Sequence, residues 1–348
     1  MTNYKNLHRF ILFTTFCIFV LIIAGGNVTS TGSGLSVPDW PNTYGHFMFA
    51  YPLDQMIGGI FYEHTHRMIA SVVGFFTTIV AIWLWKREER KWVRNLGFIA
   101  LGTVILQGLL GGLTVLTLLP PSVSASHATL AQTFFCIMAS IALFTSSWYR
   151  QEQQPLRDDR KNPSLVRLAV LTTAAVFIQL ILGAIMRHTD SGLAVPDFPL
   201  AYNQLFPSLT PEALERYNQH LIHSDIRMAA DGAITSTQIL IHMMHRLWAV
   251  VVSGMIIWIS VRVFQLSSVS KRISRFGYLL LVLLCVQITL GALTVISGKE
   301  MYIATAHVAM GSLILVSCVL LTIHAAKLFG IRQRQLRTIS ISAREAAI

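Results

Sequence analysis

The chain has 348 residues, of which 53% are hydrophobic and only 12% charged, with a mean hydropathy of +0.58. A water-soluble domain carries about 25% charged residues, so this composition excludes a soluble globular protein. The formal net charge of +11 would suit a nucleic-acid partner, but its placement answers to a membrane instead. Only Arg67, Arg187, Arg216, Arg227, Arg246 and Lys299 fall outside the tails and alternate short loops, leaving 27 − 6 = 21 basic residues on one side.

Spanning the hydrocarbon takes about 20 apolar residues in a helix, and unpaired backbone groups are not tolerated there. Eight stretches qualify: 10–28, 58–85, 96–119, 125–148, 165–186, 237–264, 276–296 and 302–328. The first has no convincing small-residue cleavage site and outruns a signal-peptide core, so it is expected to be a retained span. The basic loops place both termini in the cytoplasm of a multi-pass protein of the cell (inner) membrane. Cys17, Cys136, Cys285 and Cys318 all lie within apolar stretches and are expected to be small packing residues.

The spans repeat in fours. GSGLSVPDWP at 32–41 recurs as DSGLAVPDFP at 190–199, His66-Arg67 as His245-Arg246, QGLLGGLTV at 107–115 as QITLGALTV at 287–295, and His127 as His307. The offset grows from 193 − 35 = 158 to 307 − 127 = 180, so about twenty extra residues lie between Pro199 and His245. Four spans per half give parallel repeats. The expected fold is all-α integral membrane: eight transmembrane helices as two tandem, pseudo-twofold-related four-helix bundles, at 1–150 and 165–330. A polar cytoplasmic linker, 151–164, joins them, and a basic cytoplasmic tail, 331–348, follows. In the insertion, Thr210-Pro211-Glu212 reads as a helix start. Leu214, Tyr217 and Leu221 form its apolar stripe over the outer mouth of the second half, with His220 and His223 as surface residues.

Four histidines stand out. His66 and His245 fall near the outer ends of the second and sixth spans, His127 and His307 near the outer starts of the fourth and eighth. Two imidazoles at one depth across a four-helix bundle can ligate one iron from both sides, and heme iron accepts such axial ligands. A single membrane histidine is more simply an interhelical hydrogen-bonding group, but matched pairs in two repeats favour coordination. Zinc wants four protein ligands in a structural site, and each half offers two. EHTHR at 63–67 is not the H-E-x-x-H of a metalloprotease. Gly108, Gly111, Gly112 and Gly291 would admit a flat cofactor and equally suit close helix packing. Arg67 and Arg246, each following a candidate ligand, could pair with a heme propionate or snorkel at a helix end.

Glu63, three residues before His66, is matched in the second half by His242. An acid in a span is a functional suspect, yet Glu63 is also placed four residues before Arg67 for a helical ion pair. Both readings stand on the residues alone. The asymmetry suggests that one heme is acted upon and the other is permanent.

The duplicated halves, GLSVPDWP and GLAVPDFP, EHTHR and the four histidines together resemble the heme A synthase family over nearly the whole chain. The resemblance implies oxidation of a ring methyl of heme O to a formyl group, giving heme A for terminal oxidases. His66 and His127 would flank the substrate heme O, His245 and His307 would ligate a stable heme b, and Glu63 would be the catalytic acid. The implied partners are heme O, the heme O synthase that makes it, an electron donor and the bilayer, with a homo-oligomer left open. Many members carry a cysteine pair in the first outer loop. Here those positions are Val37 and Thr43, and in the second loop Val195 and Ala201, which suits a cysteine-free branch. The alternative is a non-enzymatic bis-histidine diheme carrier linked to a quinol pool; a transporter would require polar residues at the midplane, and the spans carry few there.

Overall fold

The computed structural model describes residues 2–151, 162–226, 232–266 and 270–345, with side chains from Tyr4 to Phe329. Most of the expected linker (152–161) and the end of the expected tail (346–348) lie outside the described residues. The fold is all-helical: α1 (Thr2–Ser30), α2 (Gly58–Arg87), α3 (Lys91–Leu116), α4 (Pro121–Thr145), α5 (Ser147–Arg150), α6 (Leu165–His188), α7 (Pro211–His223), α8 (Ser236–Phe264), α9 (Lys271–Ile296) and α10 (Met301–Glu345). Among the described residues, β pairing is confined to two isolated bridges, Thr43–His46 and Ala201–Gln204.

All but α5 and α7 are long and apolar enough to cross a membrane, which matches the eight expected spans. Their ends follow local chemistry. Proline occupies the first turn of α4, where the missing N–H costs nothing. Ser164, Thr235 and Ser270 accept from backbone N–H groups at the starts of α6, α8 and α9. Thr235 forms a reciprocal capping box with Gln238, which fixes the start of α8 at Ser236.

Two helices stop short of the expected ends. Helix α3 ends at Leu116 because Leu118 and Leu119 turn into the left-handed region (φ 61° and 58°), where Leu119 N–H bonds to Thr114 O at 2.7 Å. Helix α4 ends at Thr145 rather than Trp148. Ser146 is extended there, and its hydroxyl caps the separate turn α5.

Within the first half, α1 packs on α2 and α4, and α3 on α2 and α4; α6, α8, α9 and α10 repeat this set in the second. Each half has an apolar core. One is built on Ile11, Val80, Leu84, Phe134 and Met138, the other on Leu168, Ile256, Leu280, Ile314 and Leu321. The halves meet where α4 contacts α6 and α10, and α1 contacts α10. The segments 31–57, 189–226 and 232–235 lie at the end of the bundle opposite the start of α1. In the longer one, Ala213, Tyr217 and Leu221 of α7 bury against Ala194, Val195, Ala201 and Ile239, and Tyr217 stacks on Tyr202 at 3.7 Å. The insertion is thus a helix laid over the second half's loop, with His220 and His223 exposed. Of the expected stripe, Tyr217 and Leu221 are buried; Ala213 takes the place foreseen for Leu214, which is only partly buried.

Candidate functional site

The two VPD loops fold alike. Asp39 accepts backbone N–H groups of Tyr44 and Gly45 at 2.8 Å each, and Asp197 accepts those of Tyr202 and Asn203 at 2.8 and 3.0 Å. The Tyr44 and Tyr202 hydroxyls close the loops by donating to Ser36 O and Ala194 O. Partial burial would raise the Asp39 carboxyl. The amides of Gly45 and Tyr44, with Arg67 nearby, outweigh it and hold the group below the usual carboxylate range. Val37, Thr43, Val195 and Ala201 are buried at 0%, 0%, 0% and 1% exposure, so apolar packing fills the four loop positions discussed above. Thr43 adds a 3.1 Å contact to His64.

Arg67 and Arg246 clamp these loops onto the helices below them. Arg67 donates to the carbonyls of Val37 (2.8 Å), Asp39 (2.7 Å) and Asn42 (3.1 Å). Arg246 donates to the matched carbonyls of Val195 (3.1 Å), Asp197 (2.7 Å) and Leu200 (2.9 Å). A heme propionate at either guanidinium would have to share donors that the loop already uses.

The residue one turn before each arginine completes the clamp. Glu63 gives one oxygen to Arg67 at 2.6 Å and the other to the Val37 N–H at 2.8 Å. Its counterpart His242 accepts from Arg246 Nε at 2.9 Å and sets its other ring nitrogen 3.0 Å from Ser191 O. The ion pair foreseen for Glu63 is therefore present. The carboxylate is 3% exposed and stands one helical turn from His66.

The four histidines share one mode of seating. A methyl group added at Gly25 of α1 would fall 2.9 Å from His66 Cε1, at Gly111 of α3 3.1 Å from that of His127, at Gly183 of α6 3.1 Å from that of His245, and at Gly291 of α9 3.0 Å from that of His307. Each imidazole thus lies against bare backbone of a neighbouring helix, which any larger residue would obstruct. The Nδ1 atoms of His66, His127 and His307 are buried without a partner, an uncommon condition for buried polar atoms. Two imidazoles per half, all seated on glycine and three of the four with an unpartnered Nδ1, fit a flat iron macrocycle held from both sides.

The glycines serve different ends. Gly111 and Gly291 are seats for rings, and Gly112 lies under the Trp40 indole, where an added methyl would meet ring atoms at 2.5 Å. Gly108 departs from the close-packing expectation: a methyl there meets nothing within 4 Å.

Sequence reasoning missed three glutamines. Gln107 and Gln287 place their amide nitrogens 3.3 and 3.4 Å from Nε2 of His127 and His307. Gln179 places its own 3.2 Å from His245 Nε2 and donates to His245 O at 3.1 Å. Gln107 and Gln287 open the QGLLGGLTV and QITLGALTV repeats, and an amide recurring within two apolar spans was the available signal. Gln179 offered none, since its counterpart in the first half is Leu21. Arg187 was missed too: from α6 it crosses the seam to donate to Gly26 O and Ser30 Oγ of α1 at 2.7 and 2.6 Å.

A duplicated multi-pass bundle with a matched histidine pair in each half defines the class. The chain belongs to the cytochrome oxidase assembly protein family, whose model matches residues 8–319. It is 26% identical to the heme A synthase of Geobacillus kaustophilus, covering 99% of this chain and 98% of that one. It is 25% identical to the heme A synthase of Macrococcus caseolyticus over 88% and 93%. With the heme A synthase of Shouchella clausii the figure is 28% over 61% and 69%.

Proposed function

We propose that this protein is a heme A synthase: an oxidoreductase that converts a ring methyl of heme O to a formyl group, yielding heme A for terminal oxidases. The observation that carries this reading is the seating of two imidazoles on glycine in each half, in a chain of this family. His66 and His127 would hold the substrate heme O in the first half, and His245 and His307 a resident heme b in the second. Heme supplies the redox chemistry when bound, and the protein supplies position and charge. The charge asymmetry of the loops orients both termini to the cytoplasm and sets the heme sites near the outer face of the inner membrane. An electron donor outside the chain completes the cycle, as no thiol pair lies in the loops.

Glu63 is the residue that makes the first half reactive. Its buried carboxylate can take a proton or stabilise positive charge as the methyl is oxidised, while Arg67 and the Val37 amide hold it in place. In the second half His242 fills that position without an acid. The diheme-carrier reading gives Glu63 no chemical task and treats the two hemes as equivalent.

The test is heme extraction and chromatography on protein purified from cells that make heme O, with Glu63→Ala alongside. Heme b with heme O and heme A, the last lost in the variant, is the expected result. Heme b alone in both samples, with no heme A in the membranes, would favour the carrier.

A further inference from the structure

The first half carries an apolar groove whose bordering residues its repeat partner replaces. A cavity of about 330 Å³ lies between α2 and α3, bordered by Trp40, Gly74, Thr78, Val104, Ile105 and Gly108. That is at the small end of ligand clefts, which run to roughly 300–1,000 Å³. Two glycines open it: a methyl group added at Gly74 or Gly108 would meet nothing within 4 Å, so neither is there to bring helices together. The Thr78 hydroxyl is turned back onto Gly74 O at 3.0 Å, which leaves its methyl for the wall.

The groove begins one helical turn from the histidine seat. Trp40, from the VPDWP loop, rests on Gly112. Gly111 carries the His127 ring, whose Nδ1 is buried and unpartnered, and Gly108 is one turn further along the same helix. At 1.5 Å per residue, the wall from Gly108 to Leu101 runs roughly 10 Å away from the histidine level toward the middle of the span. In the second half the matched positions hold Phe198 for Trp40, Ser253 for Gly74, Ile257 for Thr78 and Ile288 for Gly108. Two isoleucines and a serine stand where the first half has two glycines and a threonine.

We propose that this groove holds the isoprenoid tail of the substrate heme, so that it, rather than the histidines, selects heme O over a tailless heme. The inference rests on the synthase reading above. The ligand seats are the same in both halves and cannot by themselves tell the two hemes apart. A long apolar chain attached to a macrocycle between His66 and His127 requires an exit into low-dielectric space, and the groove begins one turn from that level and follows α3. An ordinary lipid chain would give no reason for the repeat to break at these positions.

The test uses intact protein and two ways of filling the groove: Gly74→Leu/Gly108→Leu, and Thr78→Ile/Gly108→Ile, which installs residues the second half already carries. First-site affinities for heme O and for heme B, which has no isoprenoid tail, are measured by absorbance titration. Heme b retained in the second site reports the fold. Wild type should prefer heme O by about tenfold or more, as expected for burying several methylenes. Both variants should lose that preference while binding heme B within about twofold of wild type. Unchanged preference in a variant that keeps its second-site heme overturns the proposal, and co-purified lipid in the groove would then name the occupant. Equal loss of both hemes would also overturn it, showing that the groove supports the site rather than the tail. If wild type takes up neither heme at the first site, the synthase reading fails first and the groove assignment falls with it.

Discussion

The two halves differ most at the residue beside the clamp. In the first, the arginine that grips the loop is met by a carboxylate, Glu63, which also binds the Val37 amide; in the second, it is met by a neutral-capable ring, His242, aimed at Ser191 O. The loop carbonyls that each arginine holds are the same three by repeat position. The glycines under the histidines also match, one for one. Duplication has therefore kept the machinery that seats a ring and altered what surrounds it: Glu63 and a groove opened by Gly74 and Gly108 in one half, His242, Gln179 and isoleucines at 257 and 288 in the other. A seat common to both halves is explained by binding, and the differences must carry whatever only one half does.

The largest expected effect comes from obstructing a seat. Gly183→Val or Gly291→Val should empty the second half of heme and spare the first, and Gly25→Val or Gly111→Val should do the reverse. Heme-to-protein ratios with chromatographic identification check this, and retention at an obstructed site would remove the glycine argument. Next comes the clamp. Glu63→Gln keeps a hydrogen-bonding side chain but no charge, and should lower heme A formation by about 10²–10⁴-fold with heme content unchanged. His242→Gln should leave turnover within a few-fold of wild type. Similar losses in both would mean that loop anchoring, rather than an acid, is what the position supplies.

The loops should separate by a smaller margin. Asp39→Ala frees two backbone donors, at a cost of about 1–3 kcal/mol. Asp197→Ala frees two as well, but its loop is covered by α7. Hydrogen exchange at Tyr44 and Gly45 should rise more in the first variant than at Tyr202 and Asn203 in the second. Because the Asp39 carboxyl is held low in the fold, its contribution is full above the unfolded value of about 3.9. It is lost as pH falls through the folded one. The smallest effect is expected from Gln179→Leu, which copies Leu21 of the first half. Heme b should stay bound, with a shift in its absorbance bands or potential, and an unaltered spectrum would deny the amide any influence on His245.

Much of this was legible in the residues. Length and hydropathy define the eight spans because the bilayer thickness leaves one solution, and the repeat locates the ligand candidates because four matched histidines are hard to place by accident. Helix ends were less legible. The breaks at Ser146 and at Leu118–Leu119 depend on single backbone conformations inside apolar runs, where hydropathy is blind. The clamp was half visible: spacing predicted the Glu63–Arg67 pair, but no periodicity shows that Arg67 reaches three carbonyls some thirty residues back in the chain. Gly25 and Gly183 were invisible as seats because a glycine in an apolar helix says nothing about which ring lies over it. Gly108 looked like its neighbour Gly111, and only the open space beside it separates the two.

The central claim, two similar seats with different occupants, is tested most directly by removing one pair of ligands at a time in cells that make heme O. Protein with His66→Ala/His127→Ala should retain heme b and lose heme O and heme A. Protein with His245→Ala/His307→Ala should lose heme b. Loss of the same heme from both variants, or of none from either, would contradict the account.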